Sequence, residues 1–195
     1  MPLRGRPLGG VRTYRPRSRG GVHAVWHGVT DEVTSLQVDE YVRGVVAAEM
    51  PSHFHVEALK AQAVAARTYA MRRIEENLRL AERPEAHVSS DYRVHQAWSS
   101  RDEFLARWSP QEGAARWSLI AEAVDATRGM VLTYGGELVE ALYHSTSGGH
   151  TEDADRYFRT NLPYLVGVPD PYGAHSPTHE TTVAIPVAIV FERLG

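Results

Sequence analysis

Val56-Glu57-Ala58-Leu59-Lys60-Ala61-Gln62-Ala63-Val64-Ala65-Ala66-Arg67-Thr68-Tyr69-Ala70 opens the longest helical pattern in the chain. Val56, Leu59, Ala63, Ala66, Ala70, Ile74 and Leu78 recur at three- and four-residue steps and so share one face. The many Ala residues favour helix and let neighbouring elements approach closely. The pattern predicts a helix over 56–80, with Ser52 or His53 ahead of its start. Just upstream, Val45-Val46-Ala47-Ala48-Glu49-Met50-Pro51 ends a shorter helix that Asp39 would cap and Pro51 would stop. At about 100° per residue, Val38, Val42, Val45 and Val46 mark one stripe of it, and Glu49 falls near the middle.

Working outward, residues 21–28 read as a short strand, followed by a turn at Thr30-Asp31-Glu32. Residues 33–38 read as a second strand or the lead into the helix. Pro84, Ser89, Ser90, Asp91, Ser99 and Ser100 suggest loops around a strand near Tyr92–Trp98. Residues 101–117 fit a helical insertion, and 118–127 a helix that Gly129 would stop. Two β-rich runs, 130–134 and 137–143, flank Gly135-Gly136 and predict a hairpin with a two-residue turn. The end of the chain, with Pro163, Pro169, Pro171 and Pro177, reads as mostly irregular, with a strand at 181–185 and a helical pattern over 187–194.

A chain of 195 residues with 43% hydrophobic content can fill one domain. The net charge of −3, with both signs mixed throughout, gives no global argument for nucleic acid. Arg4, Arg6, Arg12, Arg15, Arg17 and Arg19 lie among Gly and Pro with no acid before Asp31, so residues 1–20 are expected to be a flexible basic arm. The absence of Cys excludes disulfides and thiolate metal sites. No stretch approaches the roughly 20 apolar residues of a membrane span, and residues 1–20 lack the apolar region of a signal peptide. A membrane anchor or export signal is therefore not expected within this chain.

Glu49 is the first candidate for chemistry. An ionised carboxylate is costly to bury unpaired, and a proton-donating enzyme needs a carboxyl group in such surroundings. The competing reading is a half-exposed Glu near a helix end, or one held by a structural Arg. Arg67 is the second candidate, about 50° from the centre of its apolar stripe by helical geometry. It would pair with a carboxylate, Glu49 on the preceding helix being the obvious candidate, or grip substrate.

The loop Ser145-Thr146-Ser147-Gly148-Gly149-His150-Thr151 offers hydroxyls and backbone N–H groups to a polar ligand such as a sugar. Ser147, His150 and Asp153 also permit a serine-hydrolase reading, without any strand–turn–helix nucleophile elbow. Ten His residues raise a metal reading. His175 and His179 have ligand spacing only on a helix, which Pro177 opposes, and no His-Glu-x-x-His pattern occurs. Trp26, Trp98, Trp108 and Trp117 would pack a core or line a sugar cleft.

Three blocks together resemble the stage II sporulation protein D/LytB amidase-enhancer family. They are the run from Val38 to Pro51, the run from Glu57 to Ala70, and Thr127 to Tyr134 with Ala141-Leu142-Tyr143-His144-Ser145-Thr146-Ser147-Gly148-Gly149-His150-Thr151-Glu152. The blocks occur in family order, and the resemblance covers roughly residues 21–185. It implies an α+β single domain over 21–195, with the long Ala-rich helix packed on β-hairpins and 99–118 as a variable insertion. It also implies an extracytoplasmic cell-wall protein, in the cell envelope or periplasm. The implied activity is that of a lytic transglycosylase on peptidoglycan glycan strands freed of stem peptides, or of a non-catalytic amidase enhancer with a wall amidase as partner.

By resemblance Glu49 is the catalytic acid. Arg67, Gln96, Tyr143, His144, Ser145 and Ser147 become substrate contacts in the same way. Some relatives carry two Cys before the Gln-x-aromatic segment, where metal binding has been associated with such residues. In Ser90-Asp91-Tyr92-Arg93-Val94-His95-Gln96-Ala97-Trp98, Ser and His stand there instead, so no metal and no cofactor is expected.

Overall fold

The computed structural model describes residues 10–13, 22–28, 30–76, 80, 81, 83–176 and 182–194. The α+β class holds, and the chain divides into two compact units, Met1–Leu142 and Tyr143–Gly195. Among the described residues, the main hydrophobic core draws no member from beyond Val124.

The first unit runs β1 (Gly10–Thr13), β2 (Val22–His27), β3 (Glu32–Gln37), α1 (Val38–Glu49), α2 (Val56–Glu75) and β4 (Val88–Ser89). It continues with α3 (Arg101–Leu105), α4 (Pro110–Ala126), β5 (Met130–Tyr134) and β6 (Glu137–Leu138). One sheet has the order β3-β2-β4, antiparallel between β2 and β3 and parallel between β2 and β4; the other is antiparallel throughout, β1-β5-β6. Gly10–Thr13, inside the segment expected to be a flexible arm, is thus a strand paired with Met130–Thr133. The other residues of that arm lie outside the described set.

The apolar stripes meet as the periodicity requires. Tyr41, Val42, Val45 and Val46 of α1 and Leu59, Ala63, Ala66 and Ala70 of α2 are buried in one cluster with Ile120, Ala123 and Val124 of α4. Each fully buried Val or Leu contributes roughly 1.5–3 kcal/mol. Helix α2 also lies against β5, where the Thr68 hydroxyl accepts the Leu132 N–H at 2.9 Å and donates to the Val64 carbonyl at 2.7 Å.

Boundaries differ where local signals compete. α1 begins at Val38 after Gln37, which gives no side-chain cap, because the Asp39 carboxylate turns to Arg67. α2 is capped by His55, whose Nδ1 accepts the Glu57 N–H at 3.3 Å, and it stops at Glu75 rather than at 80. The expected strand at Tyr92–Trp98 is turn and extended loop, and the strand lies earlier, where Val88–Ser89 pairs with Val25 and Trp26. α4 starts eight residues before the expected 118, with Ser109 as cap and Pro110 in its first turn. Gly135 and Gly136, at φ 60° and 93°, make the expected hairpin turn, but β6 ends at Leu138. In the second unit, 182–186 form no strand, while Val187–Leu194 form a helix.

One contact positions the loop that follows β4. Gly44, in the middle of α1, lies beneath the Trp98 indole, and a Cβ there would stand 2.1 Å from the ring nitrogen. The Gly44 carbonyl accepts the Ser99 N–H at 3.2 Å, and the Tyr41 hydroxyl donates to Gln96 Oε1 at 3.2 Å. Residues 96–99 are thereby laid along α1. Gly44→Ala would gain about 1 kcal/mol of helix propensity and lose about 1–3 kcal/mol to overpacking. Net destabilisation of up to about 2 kcal/mol in urea unfolding is the expected outcome, with a shift in Trp fluorescence.

Candidate active site

Glu49 is the last residue of α1, with Met50 already extended and Pro51 next. A carboxylate is unfavourable at the negative end of a helix, so its place there calls for a reason other than helix stability. Its Oε1 accepts the Ala97 N–H at 2.7 Å, the hydrogen bond that the 96–99 segment is laid down to make. No other hydrogen bond or ion pair to Glu49 occurs among the described residues. One oxygen is anchored and the other is open.

Glu49 borders a cavity of about 330 Å³ with Met50, Ser52, Phe104, Arg107 and Trp108. It is the one carboxylate among the lining residues. The segment expected to be an insertion therefore supplies one wall. Arg107 donates to the Ser99 hydroxyl at 3.2 Å. Arg116 donates to the Ser52 hydroxyl at 3.2 Å and stacks on the Trp108 ring, 3.9 Å from its centroid. Sequence reasoning named Trp108 as a possible cleft residue and missed the two arginines.

A larger cavity, about 730 Å³, lies beside the N-terminal half of α1 and is lined by Glu40, Arg43, Trp98, Arg101 and Trp117 among others. Trp98 and Trp117 thus border a cleft as well as packing on the core, whereas the Trp26 ring nitrogen donates to Asp31.

Arg67 does not meet Glu49. It is 2% exposed, and its Nε and Nη2 both donate to Asp39 Oδ1 at 3.1 Å. Its remaining donors reach the carbonyls of Ala63, Val124 and Met130 and the Thr127 hydroxyl. Burial lowers the Arg67 pKa from its ordinary value, and Asp39 opposes that shift. Asp39 sits at the other end of α1, about 15 Å from Glu49 along a helix of that length. Arg67 is accordingly a clamp joining α1, α2, α4 and β5, and the expectation that it grips substrate is corrected. All its N–H groups are already used, although it borders a cavity of about 260 Å³ with Asp39 and Arg128.

Gln96 is buried at 3% exposure against Tyr41, which makes it a support of the 96–99 segment. Tyr143, His144, Ser145 and Ser147 belong to the second unit. His144 and Ser145 are exposed there. Ser147 is buried, donates to Asp170 Oδ2 at 2.6 Å and accepts the Gly149 N–H at 3.3 Å. The serine-hydrolase arrangement is not formed: His150 Nδ1 bonds the Thr151 carbonyl, and Asp153 accepts the Gly167 N–H.

Among the described residues no three His, Asp or Glu side chains gather as a metal site. His179 lies outside the described residues. His95 accepts the Ser89 N–H at 2.9 Å and lies edge-on to Tyr69. Burial, and then the Arg73 charge, push its pKa down to about 4.

The first unit is thus a helix-clamped α+β domain with a single anchored carboxylate at a cavity. The family model described as stage II sporulation protein (SpoIID) matches residues 27–134. Stage II sporulation protein D of Bacillus subtilis (strain 168) is 36% identical over 171 residues, which is 88% of this chain and 49% of that protein. The protein of the same name from Bacillus amyloliquefaciens is 37% identical over 172 residues, again 88% of this chain and 49% of the relative. The amidase enhancer of Bacillus subtilis is 32% identical over 129 residues, 66% of this chain and 15% of the relative. The chain belongs to the stage II sporulation protein (SpoIID) family, and it spans about half the length of the two sporulation relatives.

Two outcomes follow from this geometry. Asp39→Ala leaves the buried Arg67 cation unpaired and should cost about 3 kcal/mol in denaturant unfolding. For His95 the folded pKa lies below the unfolded value of 6.5, so the unfolded chain binds the proton first. Stability is full above pH 6.5 and falls as pH drops toward about 4. Thermal melts across that window should show the loss, and His95→Asn, which keeps an acceptor but does not titrate, should flatten it.

Proposed function

We propose that the chain is a lytic transglycosylase of the bacterial cell wall, acting outside the cytoplasm on peptidoglycan glycan strands. Glu49 is its general acid and then its general base. The observation that carries this reading is the anchoring of one Glu49 oxygen by the Ala97 N–H, with no partner on the other oxygen among the described residues and Glu49 lining the cavity.

The number of carboxylates selects the chemistry. Most glycosidases that use water need two, one for the leaving oxygen and one for water or the anomeric carbon. Glu49 stands alone among the cavity's lining residues. One carboxyl is enough when the nucleophile belongs to the substrate. Protonated Glu49 donates to the glycosidic oxygen between N-acetylmuramic acid and N-acetylglucosamine, and that bond breaks. The C6 hydroxyl of the muramic residue attacks its own anomeric carbon and gives its proton to the Glu49 carboxylate. The product is a 1,6-anhydro sugar, no water is consumed, and Glu49 ends protonated as it began. Tyr143, His144, Ser145 and Ser147 are proposed as saccharide contacts, on the strength of the family resemblance.

A second reading is favoured by one relative's name. The chain would be a non-catalytic wall-binding module that stimulates a separate amidase. Peptide-free glycan digested with the purified chain and examined by mass spectrometry separates the two. Anhydro ends are expected from the wild type, with Glu49→Gln reduced at least about 100-fold. Gln keeps an acceptor for the Ala97 N–H, so the variant should melt like the wild type. Absence of product from a folded wild-type sample would favour the binding module.

A further inference from the structure

Arg107, which lines the Glu49 cavity, and Arg116, stacked on its Trp108 wall, differ from several other arginines of the first unit. Arg43, Arg67, Arg72 and Arg128 each pair with an Asp or Glu. Arg107 and Arg116 instead end on the neutral hydroxyls of Ser99 and Ser52, and neither has an ion-pair partner among the described residues. Arg107 is exposed and lines the cavity itself. One of its five N–H groups holds Ser99, which fixes the side chain and leaves the others open. Glu103 of α3 feels the Arg107 charge, but its Oε2 accepts the Ser100 N–H in a capping box.

Beside it stands Trp108, 38% exposed, with Arg116 stacked on its ring and bonded to Ser52. A guanidinium with free donors next to a fixed indole suits an anionic sugar. The planar fork takes a carboxylate through two parallel hydrogen bonds, and the indole takes the face of the ring.

We propose that Arg107 is a specificity-determining residue that reads a free carboxylate on the sugar docked at Glu49. This rests on the glycan-cleaving reading above and names the group recognised: the lactyl carboxylate of an N-acetylmuramic residue that carries no peptide. A peptide or any other amide at that position removes the negative charge and one acceptor oxygen, leaving the guanidinium unpaired against the ligand. Arg116 is a positioning residue, holding Trp108 and Ser52 in place. The segment that carries Arg107 and Trp108 thereby selects which stretches of glycan reach Glu49.

The test compares peptide-free glycan with the same glycan after its lactyl carboxyls have been converted to methylamides with methylamine and a carbodiimide. The wild type should turn over the free acid with kcat/KM about tenfold higher, carried by KM. Arg107→Gln should close most of that gap by raising KM for the free acid, and Arg107→Lys should restore part of it. The same preference is read as binding by titrating both glycans into Glu49→Gln. Binding preference without cleavage by the wild type would sink the transglycosylase reading and leave the carboxylate reader standing. Cleavage or binding with equal preference in wild type and Arg107→Gln overturns the proposal, as does absence of binding to either glycan.

Discussion

The approach of the Trp98 indole to the backbone of α1 is the constraint on which the site depends. It exists because residue 44 has no side chain to stand in its way. With the indole seated, Ser99 bonds the Gly44 carbonyl, Gln96 meets Tyr41, and the intervening Ala97 N–H arrives at Glu49. A Gly in a helix interior costs about 1 kcal/mol against Ala, and here that cost is offset by a placed backbone donor. Chemistry at the C-terminal end of α1 is thus set by packing near its middle.

The opposite end of α1 is held by different means. Arg67 reaches from α2 to Asp39, to the end of α4 and to the start of β5, so one buried cation fixes four elements. Buried ion pairs are weak evidence for net stability, since desolvation opposes the attraction. Their directional hydrogen bonds nevertheless fix register, and α1 needs a defined register if Gly44 is to lie under Trp98. Clamp and close contact therefore work in series along one helix of 12 residues.

Much of this was legible in the sequence. The valine and alanine stripes predicted α1 and α2, and Gly135-Gly136 predicted the hairpin turn. Glu49 stood out as a carboxylate against an apolar stripe. What stayed hidden was non-local. Val88–Ser89 is a strand by virtue of pairing with β2, about 60 residues earlier, and no local turn announces it. Gly10–Thr13 joins β5 over a still longer separation. Arg67 was expected to face a carboxylate and does, but Asp39 was masked by its apparent role as a cap. Two signals were present and unread: Ser109-Pro110 as the start of α4, and Gly44 inside α1 as the mark of a close neighbour.

The Ala97 hydrogen bond carries a consequence for how such a site tolerates divergence. The group that holds Glu49 is main chain, so it is indifferent to which side chain residue 97 bears. Every amino acid except proline brings the same N–H to that place. Random substitution at 97 is therefore filtered by fit alone, while the geometry of the carboxylate is inherited from the path of the backbone and from the small residue beneath Trp98.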